Sequence, residues 1–147
     1  MTTLIAIIGI GIFCLLAEIM NLKKIIIPVS IVSLMALFGL NITGQLPEIT
    51  GYESMIEVNK FSVAFSSLFI LLTALLILMS APSYAKSSKL SDFISIKVFM
   101  LSGAVAMVSF SNMAMFFLGI EVLSIGLYVL AGSDRLNIKS NEAGMKY

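Results

Sequence analysis

Forty consecutive residues, from Phe93 to Gly132, contain only two charged side chains, Lys97 and Glu121. A bilayer's hydrocarbon core is roughly 30 Å thick, and about 20 mostly apolar residues of helix cross it. The stretch is too long for one crossing and the right length for two. It breaks at Ser111–Asn112, two residues suited to ending one helix and capping the next. Three apolar blocks precede it. The first ends at Asn21, Lys23 and Lys24; the second has Pro28 in its first turn, where a missing N–H costs little; the third is closed by Pro82. The expected fold is all-α, a polytopic transmembrane helix bundle. It has five transmembrane helices, at about 4–20, 25–42, 61–80, 93–110 and 112–132, and the start of a sixth.

Composition agrees. Hydrophobic residues make up 59% of the 147 and charged residues 12%, where a soluble domain carries about 25% charged. So few charges cannot cover a water-facing surface, so lipid is the solvent for most of the chain. A net charge of +1 offers no basic surface for nucleic acid. There is no histidine, and the one cysteine, Cys14, lies inside the first apolar block. No intrachain disulfide or iron–sulfur cluster can form, and the commonest metal and haem ligand is missing. No cofactor is therefore expected on this chain. The apolar N-terminal block has its positive charges after it and no clear cleavage site, so it reads as a retained helix.

The connections carry an orientation. Lys23, Lys24, Lys86, Lys89, Lys97, Arg135, Lys139 and Lys146 fall on one side, eight of the nine basic residues. The other side has the N-terminus, the 43–60 loop with Glu48, Glu53, Glu57 and Lys60, and the turn between helices 4 and 5. The N-terminus then lies outside, and the segment after helix 5 is cytoplasmic. The 43–60 loop, with Gly44, Pro47 and Gly51, is turn-rich, with a short strand around Ser54–Val58. Residues 1–147 form a single membrane domain. Near the end, Lys139-Ser140-Asn141-Glu142-Ala143 reads as a helix start with a Ser/Asn cap and an acid in its first turn. The chain stops at Tyr147, before that helix can make two turns, so a truncated product or a piece of a longer protein is expected.

Glu121 is the sharpest chemical feature. It sits near the middle of helix 5, where a carboxylate costs about 2.5–3.5 kcal/mol on insertion scales. Intramembrane ionisable residues mark ion pathways and proton relays, so Glu121 is the candidate proton-relay group. The plainer alternative is a neutral, hydrogen-bonded acid that pins helix packing. Helical spacing puts Phe117, Ser124, Ile125 and Tyr128 on its face. Ser124 and Tyr128 could support the carboxylate with their hydroxyls. Alternatively, Ser124 is satisfied by its own helix and Tyr128 marks the interface. Gly119 and Gly126 permit close helix approach. Glu18 lies near the interface beside Lys23 and Lys24, and Lys97 snorkels to the cytoplasmic surface or serves as a buried cation.

Several of these residues carry a family resemblance. The run Phe117-Leu118-Gly119-Ile120-Glu121-Val122-Leu123-Ser124-Ile125-Gly126-Leu127-Tyr128-Val129-Leu130-Ala131-Gly132 is followed by Ser140-Asn141-Glu142-Ala143-Gly144-Met145-Lys146-Tyr147. It resembles subunit N of the proton-pumping NADH:quinone oxidoreductase, respiratory complex I. There a run of the form LGLELLSLxLYVLAG precedes a basic loop and SxEAxLKYF. Glu57-Val58-Asn59-Lys60-Phe61 is similar to the family's approach to helix 3. Gly126 stands where many members have proline. The resemblance is tight over 111–147, looser elsewhere, and closer to subunit N than to subunits L and M.

The resemblance implies a 14-helix, antiporter-like subunit of the cell inner membrane, with the other membrane subunits of complex I and the lipid bilayer as partners. It implies that Glu121 is the helix-5 glutamate that pairs with a lysine on helix 7 and tunes its pKa. That lysine position falls beyond Tyr147. It also implies that quinone reduction on other chains drives proton transport. Two alternatives stay open: a non-catalytic membrane packing fragment, or a subunit of a multisubunit Na⁺/H⁺ antiporter.

Overall fold

The computed structural model describes residues 2–19, 23–45, 54–84, 90–134 and 136–147, and for Glu18, Lys23, Lys24 and 82–84 the backbone alone. Six helices follow one another: α1 Thr2–Ile19, α2 Lys23–Thr43, α3 Lys60–Tyr84, α4 Leu90–Val108, α5 Met113–Ala131 and α6 Ile138–Lys146. The protein is an all-helical bundle. Four helices are long and apolar enough to cross a membrane, over Ile25–Thr43, Lys60–Ala81, Leu90–Val108 and Met113–Ala131. The apolar part of α1, Thr2–Ala17, is shorter. The segments holding Pro47, Glu48, Gly51, Glu53, Lys86, Lys89 and Arg135 lie outside the described residues, as does the Glu18 side chain.

α4 is the hub. It packs against α1, α2, α3 and α5, and half of it is buried, against 6% of α5. Each outer helix turns one narrow stripe inward at three- and four-residue spacing. On α1 the stripe is Leu4, Ile7, Gly11, Cys14 and Ala17; on α2 it is Ile26, Ser30, Leu34, Leu37 and Asn41. The remaining faces are apolar and exposed, as lipid requires: Phe13, Val32, Leu76 and Met79 point outward. Hydroxyls and one amide stitch the helices together. Ser91 donates to the Cys14 carbonyl oxygen at 2.6 Å, tying α4 to α1. Asn41 Nδ2 donates to Ser66 Oγ at 3.2 Å and to the Val63 carbonyl at 3.3 Å, tying α2 to α3. Gly44, at φ 66°, ends α2 in the left-handed region that glycine enters without strain.

Local punctuation departs from expectation in four places. Pro82 does not close α3, which runs on to Tyr84, because a proline's φ is itself helical and the last turn loses only one amide. Pro28 falls in the second turn of α2 rather than the first, because that helix begins at Lys23. The expected strand near Ser54–Val58 is a single antiparallel bridge between Ile56 and Phe110. The cap of α6 is Asn137, whose side chain accepts from the Lys139 amide at 3.1 Å. Ser140 turns instead to the end of α5, donating to the Ala131 carbonyl at 2.8 Å. A hydroxyl reaching an orphan helix-end carbonyl satisfies a group that would otherwise lack a partner.

The tightest crossing is α4 on α5. A β-carbon built on Gly119 would stand 2.6 Å from Met107 Cγ and 2.8 Å from the Gly103 carbonyl oxygen. One built on Gly103 would stand 2.8 Å from the Gly119 carbonyl oxygen. The two backbones touch, and only glycine fits on either side. At Gly126 the obstacle is the Met100 side chain, which can rotate away. Gly119→Ala and Gly103→Ala should therefore each cost about 1–3 kcal/mol, the usual penalty for overpacking. Gly126→Ala should cost less. Gly9→Ala, with nothing within 4 Å of the new carbon, should be neutral. Thermal denaturation of the detergent-solubilised full-length protein measures the order. Asn41→Leu should lose only ~0.6 kcal/mol by the same measurement, the average for an interhelical hydrogen bond in a membrane.

Candidate functional site

Glu121 lies near the midpoint of α5, and both ends of that helix are fixed. At the start, Asn112 adopts an extended φ/ψ of −122°/140°, and its side chain accepts from the Ala114 amide at 3.2 Å. The turn before it is strapped to the α2–α3 loop. The Glu57 amide donates to the Ser109 carbonyl at 2.9 Å, and the Ser111 amide to the Met55 carbonyl at 3.0 Å. At the far end the Gly132 amide donates to the Tyr128 carbonyl at 3.1 Å, and Ser140 covers Ala131.

Helix geometry then sets the direction of each side chain. Gly119 and Gly126 are buried against α4. At 100° per residue, Glu121 points away from that crossing, about 160° round from Gly119. Its side chain is half-buried. Phe117, Ile125 and Tyr128 share its face and are about half exposed or more. Among the described residues, no hydrogen bond or ion pair reaches the Glu121 carboxylate.

The two candidate supporting residues divide differently. The Ser124 hydroxyl donates to the Ile120 carbonyl at 2.9 Å and the Glu121 carbonyl at 3.1 Å. It is satisfied by its own helix rather than by the carboxylate. Tyr128 stays on the Glu121 side, two turns nearer the basic end, with its ring edge-on to Tyr147 at 5.5 Å between centroids. Lys97 is half-buried and reaches across to α3, where its Nζ lies 2.6 Å from Ser80 Oγ.

Cavities flank the bundle. An apolar groove of about 800 Å³ runs between α3, α4 and α5, past Phe69, Leu76, Lys97, Met107 and Leu123. A mixed cavity of about 730 Å³ opens between α1, α4 and α5, past Leu15, Asp92, Ser95, Tyr128 and Ser133. A smaller one, of about 180 Å³, sits at the opposite end of the bundle among Thr2, Asn41, Ser62, Ser66 and Ser109. Sequence reasoning passed over Asp92, although an acid in the first turn of a spanning helix is itself a signal. It also passed over Gly103, which stands beside Ser102 and Ala104 in a run of small residues.

No protein-family model matches the sequence. Curated relatives do. NADH-quinone oxidoreductase subunit N of Flavobacterium johnsoniae is 62% identical over 148 aligned residues, covering all of this chain and 32% of the relative. The subunit of that name from Flavobacterium psychrophilum is 59% identical over the same extent, and that from Cytophaga hutchinsonii is 36% identical. The chain thus spans about a third of the length of these relatives. Matched along its whole length at this level of identity, the sequence belongs to the NADH-quinone oxidoreductase subunit N family.

Proposed function

We propose that the chain is part of a proton-translocating membrane subunit of NADH:quinone oxidoreductase, and that Glu121 is its proton-relay group. The observation that carries this reading is the placement of Glu121. A carboxylate stands at mid-helix on a span, turned away from the bundle, among exposed apolar side chains and without a partner among the described residues. In hydrocarbon such a group needs either a proton or a cation. A cation is supplied most simply by a helix lying against the open face of α5, from the two thirds of the relatives' length that this chain does not span.

On this reading the partner is a lysine, and the pair works by proximity. An opposite charge within about 4–6 Å shifts a pKa by about 1–3 units. Moving the lysine towards Glu121 lets it hold a proton; moving it away releases that proton to a hydrated path. On the same reading, electron transfer takes place on other chains of the complex. The excess of basic residues on one side supports an orientation with the N-terminus outside and the α5–α6 connection in the cytoplasm, and the reading as a complex I subunit implies the cell inner membrane.

In the full-length subunit within its complex, Glu121→Gln is expected to leave assembly intact and to lower proton pumping about tenfold, the effect of one pKa unit. The measurement is proton uptake by inverted membrane vesicles respiring on NADH. Glu18→Gln is expected to change it little. Pumping at the normal rate with Glu121→Gln would remove the charge from the mechanism.

A further inference from the structure

The 800 Å³ groove between α3, α4 and α5 runs lengthwise and is charged at one end only. Phe69 to Ser80 on α3 and Lys97 to Val108 on α4 each cover ~17 Å of helix axis, and Phe116 to Leu130 on α5 covers ~21 Å. That is close to the depth of one leaflet, about half of a hydrocarbon core of roughly 30 Å. Between its ends the lining is apolar, with Leu76, Met107 and Leu123 facing the space. Thr73, midway along, turns its hydroxyl onto the Phe69 carbonyl at 2.8 Å.

The charged end is the basic end of the bundle. Lys97 stands two turns inside α4, and side chains lean towards the N-terminus of their helix. Its stem therefore lies along the groove wall while its ammonium reaches back towards the surface. Lys97 Nζ donates to Ser80 Oγ at 2.6 Å, one turn before α3 ends at Tyr84. The Ser80 hydroxyl positions the ammonium but does not neutralise it. A cation at headgroup level above an apolar channel one leaflet deep complements a lipid with an anionic head.

Two further observations bear on the occupant. Spread over its length, the groove has a mean cross-section of ~40–50 Å², against ~80 Å² for a helix 10 Å across. A flexible hydrocarbon chain fills such a space, and a helix does not. The chain also leaves α5 on the opposite side. Gly144 of α6 packs against Gly132, and the Tyr147 ring meets that of Tyr128. Counting 100° per residue, Tyr128 and Gly132 lie roughly 120–180° round α5 from the groove residues Phe116, Leu123 and Leu130.

We propose that this groove binds an anionic phospholipid of the leaflet at the basic end, with one acyl chain along α3, α4 and α5 and the phosphate against Lys97. The site is independent of the part assigned to Glu121.

The test uses the full-length subunit in its assembled complex, reconstituted into phosphatidylcholine vesicles. A trace of phosphatidylglycerol or of phosphatidylcholine, each with a photoreactive group at the end of one acyl chain, is crosslinked and the labelled peptides are identified. Phosphatidylglycerol should label the far end of the groove, around Phe69 and Phe116, about five times more than phosphatidylcholine, the factor for one lysine near an anionic surface. Lys97→Gln should lower its labelling to the phosphatidylcholine level, Lys97→Arg should keep it high, and Glu121→Gln should leave it unchanged. Equal labelling by the two lipids in the unaltered protein overturns the site without any variant. So does labelling indifferent to Lys97→Gln, or lost as fully with Lys97→Arg. Absence of label from both lipids also overturns it, because a protein segment would then cover the groove.

Discussion

Helices in hydrocarbon gain nothing by hiding apolar surface from lipid, so they associate through close packing and a few polar contacts. In this protein the decisive contact is the meeting of α4 and α5 at Gly103 and Gly119, backbone against backbone. That contact fixes the rotation of α5 about its own axis, and every side chain on α5 takes its direction from it. Glu121 faces away from the bundle because Gly119, two residues earlier, must face into it. A β-carbon on either glycine would separate the helices and release the rotation.

Polar groups do the remaining work, and they divide by position. Inside the bundle Ser91, Asn41 and Ser66 join one helix to the next with all their buried polar atoms satisfied among the described residues. On α5 and at the start of α4 the acids are different: Glu121 and Asp92 have no such partner among the described residues. The hydroxyls and the amide inside the bundle thus hold helices together, and these two acids do not. The same distinction separates Ser124, bonded to its own helix, from Tyr128, whose ring lies at a cavity wall.

Much of the architecture was legible in the sequence because lipid imposes a length on every crossing. The break at Ser111–Asn112 is visible as a capping pair between two apolar runs, and Asn112 caps α5. The glycines at 119 and 126 show as small residues on one stripe. Details that depend on tertiary neighbours were not legible. Ser140 looks like a helix cap by spacing, yet its hydroxyl serves the end of α5, because that end lies beside it in space. Gly103 gives no local sign that its opposite number is Gly119. Glu121 was legible as an isolated acid in an apolar run; which way it faces follows only from the crossing.

The grip on α5 is uneven along its length. The half that follows Asn112 is clamped by the Ser109–Asn112 strap and by the Gly103–Gly119 contact, while from Gly126 on the helix rests on Met100, a compliant cushion, with one tie at its end from Ser140. The fulcrum for any rocking of α5 therefore lies beside Glu121. A 5° swing about Gly119 would carry Tyr128, ~13 Å down the axis, through about 1 Å, and Glu121 through only about 0.3 Å. Any tilt of the helix is thus taken up at its far end, within the give of the Ser140–Ala131 hydrogen bond, while Glu121 hardly moves.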